Sequence, residues 1–229
     1  MAADSLRVSP ALAPFLVRPE LSPARRPVVS SGLGPLDALL GGGFPRGRIS
    51  ELVGPRTSGR TSLLLGLLAS ATAREALAAL VDVTDGLDPA SARARGVALE
   101  RLLWVRCGGS LRAALQAADV ILRAGSFGVI AVDLGDLPAW TLARAPAAAF
   151  VRLQRTVEGT STALVFAGGG RVAGSLTAVA VALAPRRTNW APGGPGLLTG
   201  LTADARLVRA RDRAPGAGVR LTWGTGEIT

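Results

Sequence analysis

Residues Gly54–Ser62 read "GPRTSGRTS", preceded by "RGRISELV" and followed by "LLLGLLAS". The spacing is that of a phosphate-binding loop, G-x-x-x-x-G-K-[ST], with Arg60 where the lysine belongs. The apolar run before it predicts a strand over Ile49–Val53, and the leucine-rich run after it predicts a helix. In a working loop of this kind the glycines let backbone N–H groups turn inward on phosphate oxygens, and the helix start adds its dipole. The lysine then reaches the terminal phosphates while the hydroxyl holds magnesium. Gly54, Ser58, Gly59, Thr61 and Ser62 supply everything but the lysine. Arg60 keeps the charge on a bulkier planar fork that donates in fixed directions. Two readings follow: a nucleotide site that binds ATP and Mg²⁺ without hydrolysing it well, or a vestige whose glycines serve only the strand-to-helix turn.

A second stretch, "VIAVDLGD" (residues 129–136), ends an apolar strand on Asp133, where a magnesium-coordinating carboxylate would stand; a solvated strand end is the alternative. Asp136 lies one turn further. Hydrolysis would also need a carboxylate to activate water near the end of a neighbouring strand, and the residues there are "VDVTDGLDP" (residues 81–89).

Composition narrows the chemistry. The 229 residues contain no histidine and one cysteine, Cys107, so a zinc site, a histidine-based triad or an internal disulfide lacks raw material. No apolar run reaches membrane-spanning length before arginine, glycine or proline interrupts it, and the amino terminus lacks the pattern of an export signal. A cytoplasmic protein with no membrane partner is expected. The net charge of +10 suits a polyanionic partner. Every basic residue is arginine, however, and alanine and glycine abound, so biased coding in a GC-rich genome explains the charge equally well.

Along the chain, residues 1–27 form a proline-rich arm with no sustained period, and a single domain is expected over residues 28–229. A short helix is expected around Leu36–Leu40, then a glycine-rich turn. Strands are expected at "LAALVDV" (residues 77–83), "RLLWVRC" (residues 101–107) and "FGVIAVDLGD" (residues 127–136). Short helical "DPASARARG" (residues 88–96) and a longer helix capped by Ser110 and closed by Gly125 alternate with them. Leu111, Leu115, Ala118 and Leu122 fall on one face of the longer helix. This alternation predicts an α/β fold with a mostly parallel sheet flanked by helices and its ligand crevice at the carboxyl ends of the strands. The tail reads differently: "TAVAVALAP" (residues 177–185), "ARLVRARDR" (residues 205–213) and "GVRLTW" (residues 218–223) predict three strands, the last two an antiparallel hairpin.

Taken together, "SSGLGPLDALLGGGFPRGRISELVGPRTSGRTSLLL" (residues 30–65) and "LVDVTDGLDPASARARGV" (residues 80–97) resemble the RecA recombinase core in order and spacing. The likeness extends from Val28 to about Leu183 and weakly through the terminal hairpin. It implies a RecA-like P-loop fold, and the departures then matter. Thr84 stands where family members place the glutamate that polarises the attacking water, and a threonine is no base. The family's phosphate-sensing polar pair would fall at Gly168 and Gly169. The two DNA-binding loops, expected after "VIAVDLGD" and "VFAGGG", are short, and no counterpart of the large carboxyl-terminal domain follows.

The chain therefore reads as a degenerate paralogue similar to the ImuA group, bacterial accessory proteins of damage-induced translesion synthesis in the SOS response. That resemblance implies partners: an inactive Y-family polymerase-like protein, an error-prone replicative-type polymerase and RecA itself. Two alternatives are a weak ATPase or ATP-gated switch using Gly54–Ser62, and a cell-division inhibitor of the SulA type. Leu12, Phe15, Leu16, Val17 and Leu21 are apolar anchors of the arm, for a partner or for the chain's own core. Sequence-independent DNA contact would fall on Arg186, Arg187 and Trp190, whose ring could stack on a base or simply pack at the surface. The hairpin arginines Arg206, Arg209, Arg211 and Arg213 would join them.

Overall fold

The computed structural model describes residues 27–191, 196 and 198–224; the arm anchors Leu12, Phe15, Leu16, Val17 and Leu21 lie outside them. At the centre is the strand that delivers the loop, Arg48–Val53. It is the third strand in chain order, β3, after the two-residue pair β1 (Val28–Val29) and β2 (Phe44–Pro45). Ile49 and Leu52 of β3 are fully buried on opposite faces, as a strand covered on both sides requires. Helix α1 (Gly34–Leu40) precedes β2 and buries Leu36 and Leu40.

After the loop come α2 (Arg60–Thr72), β4 (Leu77–Asp82), α3 (Pro89–Ala94) and β5 (Leu102–Arg106). Then follow α4 (Leu111–Ala124), β6 (Phe127–Asp133), α5 (Ala139–Ala143), α6 (Ala147–Glu158) and β7 (Ala163–Gly168). The chain closes with β8 (Val179–Trp190), β9 (Leu198–Ala210) and β10 (Gly218–Gly224). Eight of these strands form one sheet in the order β10-β9-β8-β3-β7-β6-β4-β5. The strands from β8 through β5 run parallel, while β9 and β10 continue the sheet antiparallel.

Local chemistry explains the helix limits. Ser110 accepts from the Ala113 N–H, and Gly125 follows the last turn of α4, whose Leu111, Leu115, Ala118 and Leu122 are buried. Asp88 accepts from the Ala90 and Ser91 N–H groups and starts α3, with Pro89 at the first helical position. One apolar layer, including α1 and α2, packs Leu36, Leu63, Leu67 and Trp223 against one face of the sheet. The other packs Leu115, Phe150 and Leu153 of α4 and α6 against the opposite face.

The tail departs from expectation in extent. Instead of residues 177–185 and 205–213, β8 and β9 pair over Val179–Trp190 and Leu198–Ala210. A bulge between Pro185 and Arg187 carries the pairing past the proline, which has no N–H for the ladder. Arg186, in that bulge, reaches across to Asp204 at 2.5 Å. The connection from β6 to α6, expected to be short, contains α5. Among the described residues no helix is long and apolar enough to cross a membrane.

Candidate functional site

The loop leaves the carboxyl end of β3 beside the ends of β4, β6 and β7, so Gly54, Asp82, Asp133 and Gly168 lie together along the carboxyl end of the sheet. The register aligns Val53 with Gly168, Ala167 with Asp133, and Asp133 with Asp82. Gly59 is the residue before α2 and takes a left-handed φ of 82°. A Cβ there would sit 2.6 Å from the Trp223 ring, because β10 lays that fully buried indole against the loop. Glycine at 59 thus serves both a backbone turn and a close aromatic approach.

The loop keeps the makings of an anion cradle. The first turn of α2 leaves N–H groups of Arg60, Thr61 and Ser62 without partners inside the helix. Ser58 is fully buried, and its Oγ, which would lie 2.6 Å from a Cβ on Gly54, has no hydrogen-bond partner. Thr61 is exposed, and it lines a narrow crevice with Asp82 and Asp133. The crevice leaves about 10 Å³, roughly one water. Any phosphate group would be held by the N–H groups at the start of α2, and a divalent cation by Thr61 and Asp133. Burial is the main cause that pushes the Asp133 carboxyl above its ordinary value, with Asp82 and Asp136 adding to it. The Gly135 N–H at 2.9 Å and the charge of Arg60 oppose the shift.

Arg60 does not occupy the position a phosphate-reaching lysine would need. Its guanidinium donates to the Gly54 carbonyl at 2.6 Å and to the Gly135 carbonyl at 2.9 Å, and it pairs with Asp136 at 3.3 Å. Arg56, on the open side of the loop, pairs with the other oxygen of Asp136. The arginine is thus spent on the protein's own oxygens, and its Nε is buried without a partner.

Exposed Thr84, where the resemblance placed a water-activating glutamate, lies against the turn after β6. A Cβ on Gly135 would fall 2.4 Å from the Thr84 Oγ1, so the left-handed turn after Asp133 lies directly on Thr84. Buried Asp82 holds the Thr84 segment from below, accepting from the Thr84 and Leu87 N–H groups and from the Trp104 indole at 3.2, 3.0 and 3.2 Å. At the sensing position, a Cβ on Gly168 would meet Leu134 at 3.2 Å, whereas Gly169 faces open space.

The connection after β7, where the resemblance placed a second DNA loop, is tied to the sheet by Glu51, a charge inside an apolar strand. Glu51 of β3 is 1% exposed and accepts from the Val172 N–H at 2.6 Å, the Ala173 N–H at 2.9 Å, the Thr177 hydroxyl at 2.6 Å and Arg171 at 3.0 Å. A carboxylate with four donors fixes that segment against its own strand.

The residues considered for DNA lie on β8, β9 and the turn after them. Arg186 and Arg220 flank Asp204. Arg209 donates to the Thr177 and Ser175 carbonyls, and Arg213 to the Leu39 carbonyl. Arg187, Arg206 and Arg211 are exposed, and exposed Trp190 donates to the Thr188 hydroxyl at 3.1 Å. Several of the expected phosphate contacts are therefore already engaged in holding the hairpin.

Residues 22–140 match the RecA N-terminal domain family. Curated relatives include Protein RecA of Desulforapulum autotrophicum, 36% identical over 155 residues, which make up 61% of this chain and 44% of the relative. Protein RecA of Corynebacterium jeikeium is 43% identical over 106 residues, 46% of this chain and 28% of the relative. Protein RecA of Paramagnetospirillum magneticum is 44% identical over 107 residues, 46% of this chain and 30% of the relative. The chain spans less than half the length of these relatives. With the family match covering just over half of its residues, on a sheet and loop of the geometry described above, the chain belongs to the RecA N-terminal domain family.

Proposed function

We propose that this RecA-like chain is a non-catalytic accessory protein of bacterial DNA-damage tolerance, of the ImuA type, acting through protein contacts. Its partners in this reading are an inactive Y-family polymerase-like protein, an error-prone replicative-type polymerase and RecA. The observation that carries the non-catalytic half is Arg60, drawn into the Gly54 and Gly135 carbonyls and Asp136 in place of a phosphate-reaching lysine. Thr84 under Gly135 and the side-chain-free Gly168 and Gly169 support the same half: positioned charge and an activated water each contribute large rate factors in phosphoryl transfer. The ImuA-type partners are suggested by the sequence resemblance, a scaffold kept while its chemistry is dismantled.

Affinity capture from DNA-damaged cells with the full chain tests the partner half. Co-purification of the polymerase-like protein supports the reading; normal damage-induced mutagenesis in a strain lacking the protein overturns it. A second reading, a nucleotide-gated switch, is favoured by one observation: α2 starts directly behind left-handed Gly59, with the N–H groups of its first turn free of helical partners. In that reading the chain binds a nucleoside triphosphate and uses it as a signal, without turnover of its own.

A further inference from the structure

Asp136 is the only described carboxylate that pairs with arginines of the phosphate loop, and it pairs with two, Arg56 and Arg60. It begins the exposed stretch after β6, between two buried side chains, Leu134 and Leu142. Between those anchors Pro138, Ala139 and Trp140 are exposed, and Arg144 stacks over the Trp140 ring, 5.6 Å from its centre. Arg60 also donates to the Gly135 carbonyl, so the loop holds the start of this stretch through both a backbone and a side-chain oxygen.

We propose that Asp136 is a latch through which the occupant of the 54–62 loop controls the segment from Gly135 to Thr141. The proposal rests on the second reading above, that the loop takes a nucleoside triphosphate. The polyphosphate presents several anionic oxygens at the start of α2, where the helix dipole and free N–H groups already favour negative charge. The Arg56 guanidinium pairs more strongly with such an array than with one half-exposed carboxylate. Arg56, 85% exposed, can swing without disturbing packing. As Arg56 turns to phosphate, Asp136 loses that counter-charge and keeps only Arg60, which stays on the Gly54 and Gly135 carbonyls. The segment then remains held by Leu134, Leu142 and the partly buried Leu137, and Trp140 changes its presentation at the surface. Occupancy is thereby read out about one helix away from the loop, with no hydrolysis required.

The linkage is reciprocal: whatever frees the latch must tighten the loop's grip on the triphosphate by the same factor. Full-length protein is compared with Asp136→Asn and Arg56→Ala, using a non-hydrolysable ATP analogue with Mg²⁺ as the probe. Calorimetry gives affinity, and amide hydrogen exchange of residues 135–141 gives latch state. The expected result is analogue binding that raises exchange in this segment several-fold in the wild type. Asp136→Asn, nearly isosteric at a site that is not buried, should show the raised exchange without analogue and bind it about fivefold or more tightly. Arg56→Ala should show an intermediate rise in exchange before analogue is added. Binding with unchanged exchange, or an Asp136→Asn protein no tighter than wild type, overturns the latch while leaving nucleotide binding intact. No binding by either protein overturns the nucleotide reading, and the latch with it.

Discussion

Replacing Glu51 tests whether the segment after β7 is fixed by a single buried carboxylate. In Glu51→Ala the Val172 and Ala173 N–H groups and the Thr177 hydroxyl lose their acceptor, and Ala173 and Thr177 are buried. Each stranded buried donor costs about 1–3 kcal/mol. Water entering beside Arg171, whose side chain is 37% exposed, relieves part of this, and the ion pair itself counts for little at that exposure. The expected loss of stability is about 3–5 kcal/mol, the range for breaking a buried charged contact. Glu51→Gln keeps the volume and one acceptor oxygen for Val172 and Ala173, but sets an amide N–H₂ against the Arg171 donor. It should lose about 1.5–3 kcal/mol, the contribution of a charge-assisted hydrogen bond. Urea unfolding followed by circular dichroism reads both, with hydrogen exchange over residues 171–176 reporting local loosening. A Glu51→Ala protein destabilised by less than about 1 kcal/mol at unchanged denaturant dependence, well below the sum of its stranded donors, would show that the loop is held by something else.

Two further outcomes follow from the site. Gly59→Ala must fit a Cβ 2.6 Å from the Trp223 ring at φ 82°. It should lose about 1–3 kcal/mol from backbone strain and crowding, with Trp223→Ala losing about 3–5 kcal/mol, and thermal melts of the two variants check the order. For Asp133, burial raises the carboxyl above its ordinary 3.8, so the folded state binds the proton more tightly than the unfolded chain. Its contribution is most favourable below that value and is lost as pH rises through the folded-state pKa. Asp133→Asn should accordingly flatten the fall in stability with rising pH in metal-free buffer; an unchanged pH profile would contradict the assignment.

Much of the scaffold was legible because its signals are local. The turn glycines, the Ser110 cap, the one-sided apolar face of α4 and the apolar run into Gly54 each act within a few residues, and each formed as the spacing predicts. What stayed hidden depends on distant partners. Glu51 sits in an apolar strand and looks like a misplaced charge until residues 171–177 fold over it. Gly59 reads as a turn residue, and only the register of β10 brings Trp223 against it. Pro185 suggested a strand end, yet bulges let β8 run on to Trp190. Arg60 was legible as a substitution, but its direction was set by Gly135 and Asp136, more than seventy residues away.

The most direct test of the central claim is steady-state phosphate release from ATP by the purified full chain, with and without single-stranded DNA. With Arg60 held by carbonyls and Asp136, and Thr84 in place of a base, release should stay at background under both conditions, and Thr61→Ala should change nothing. Release that rises with single-stranded DNA and disappears in Thr61→Ala would show a working ATPase and contradict the account.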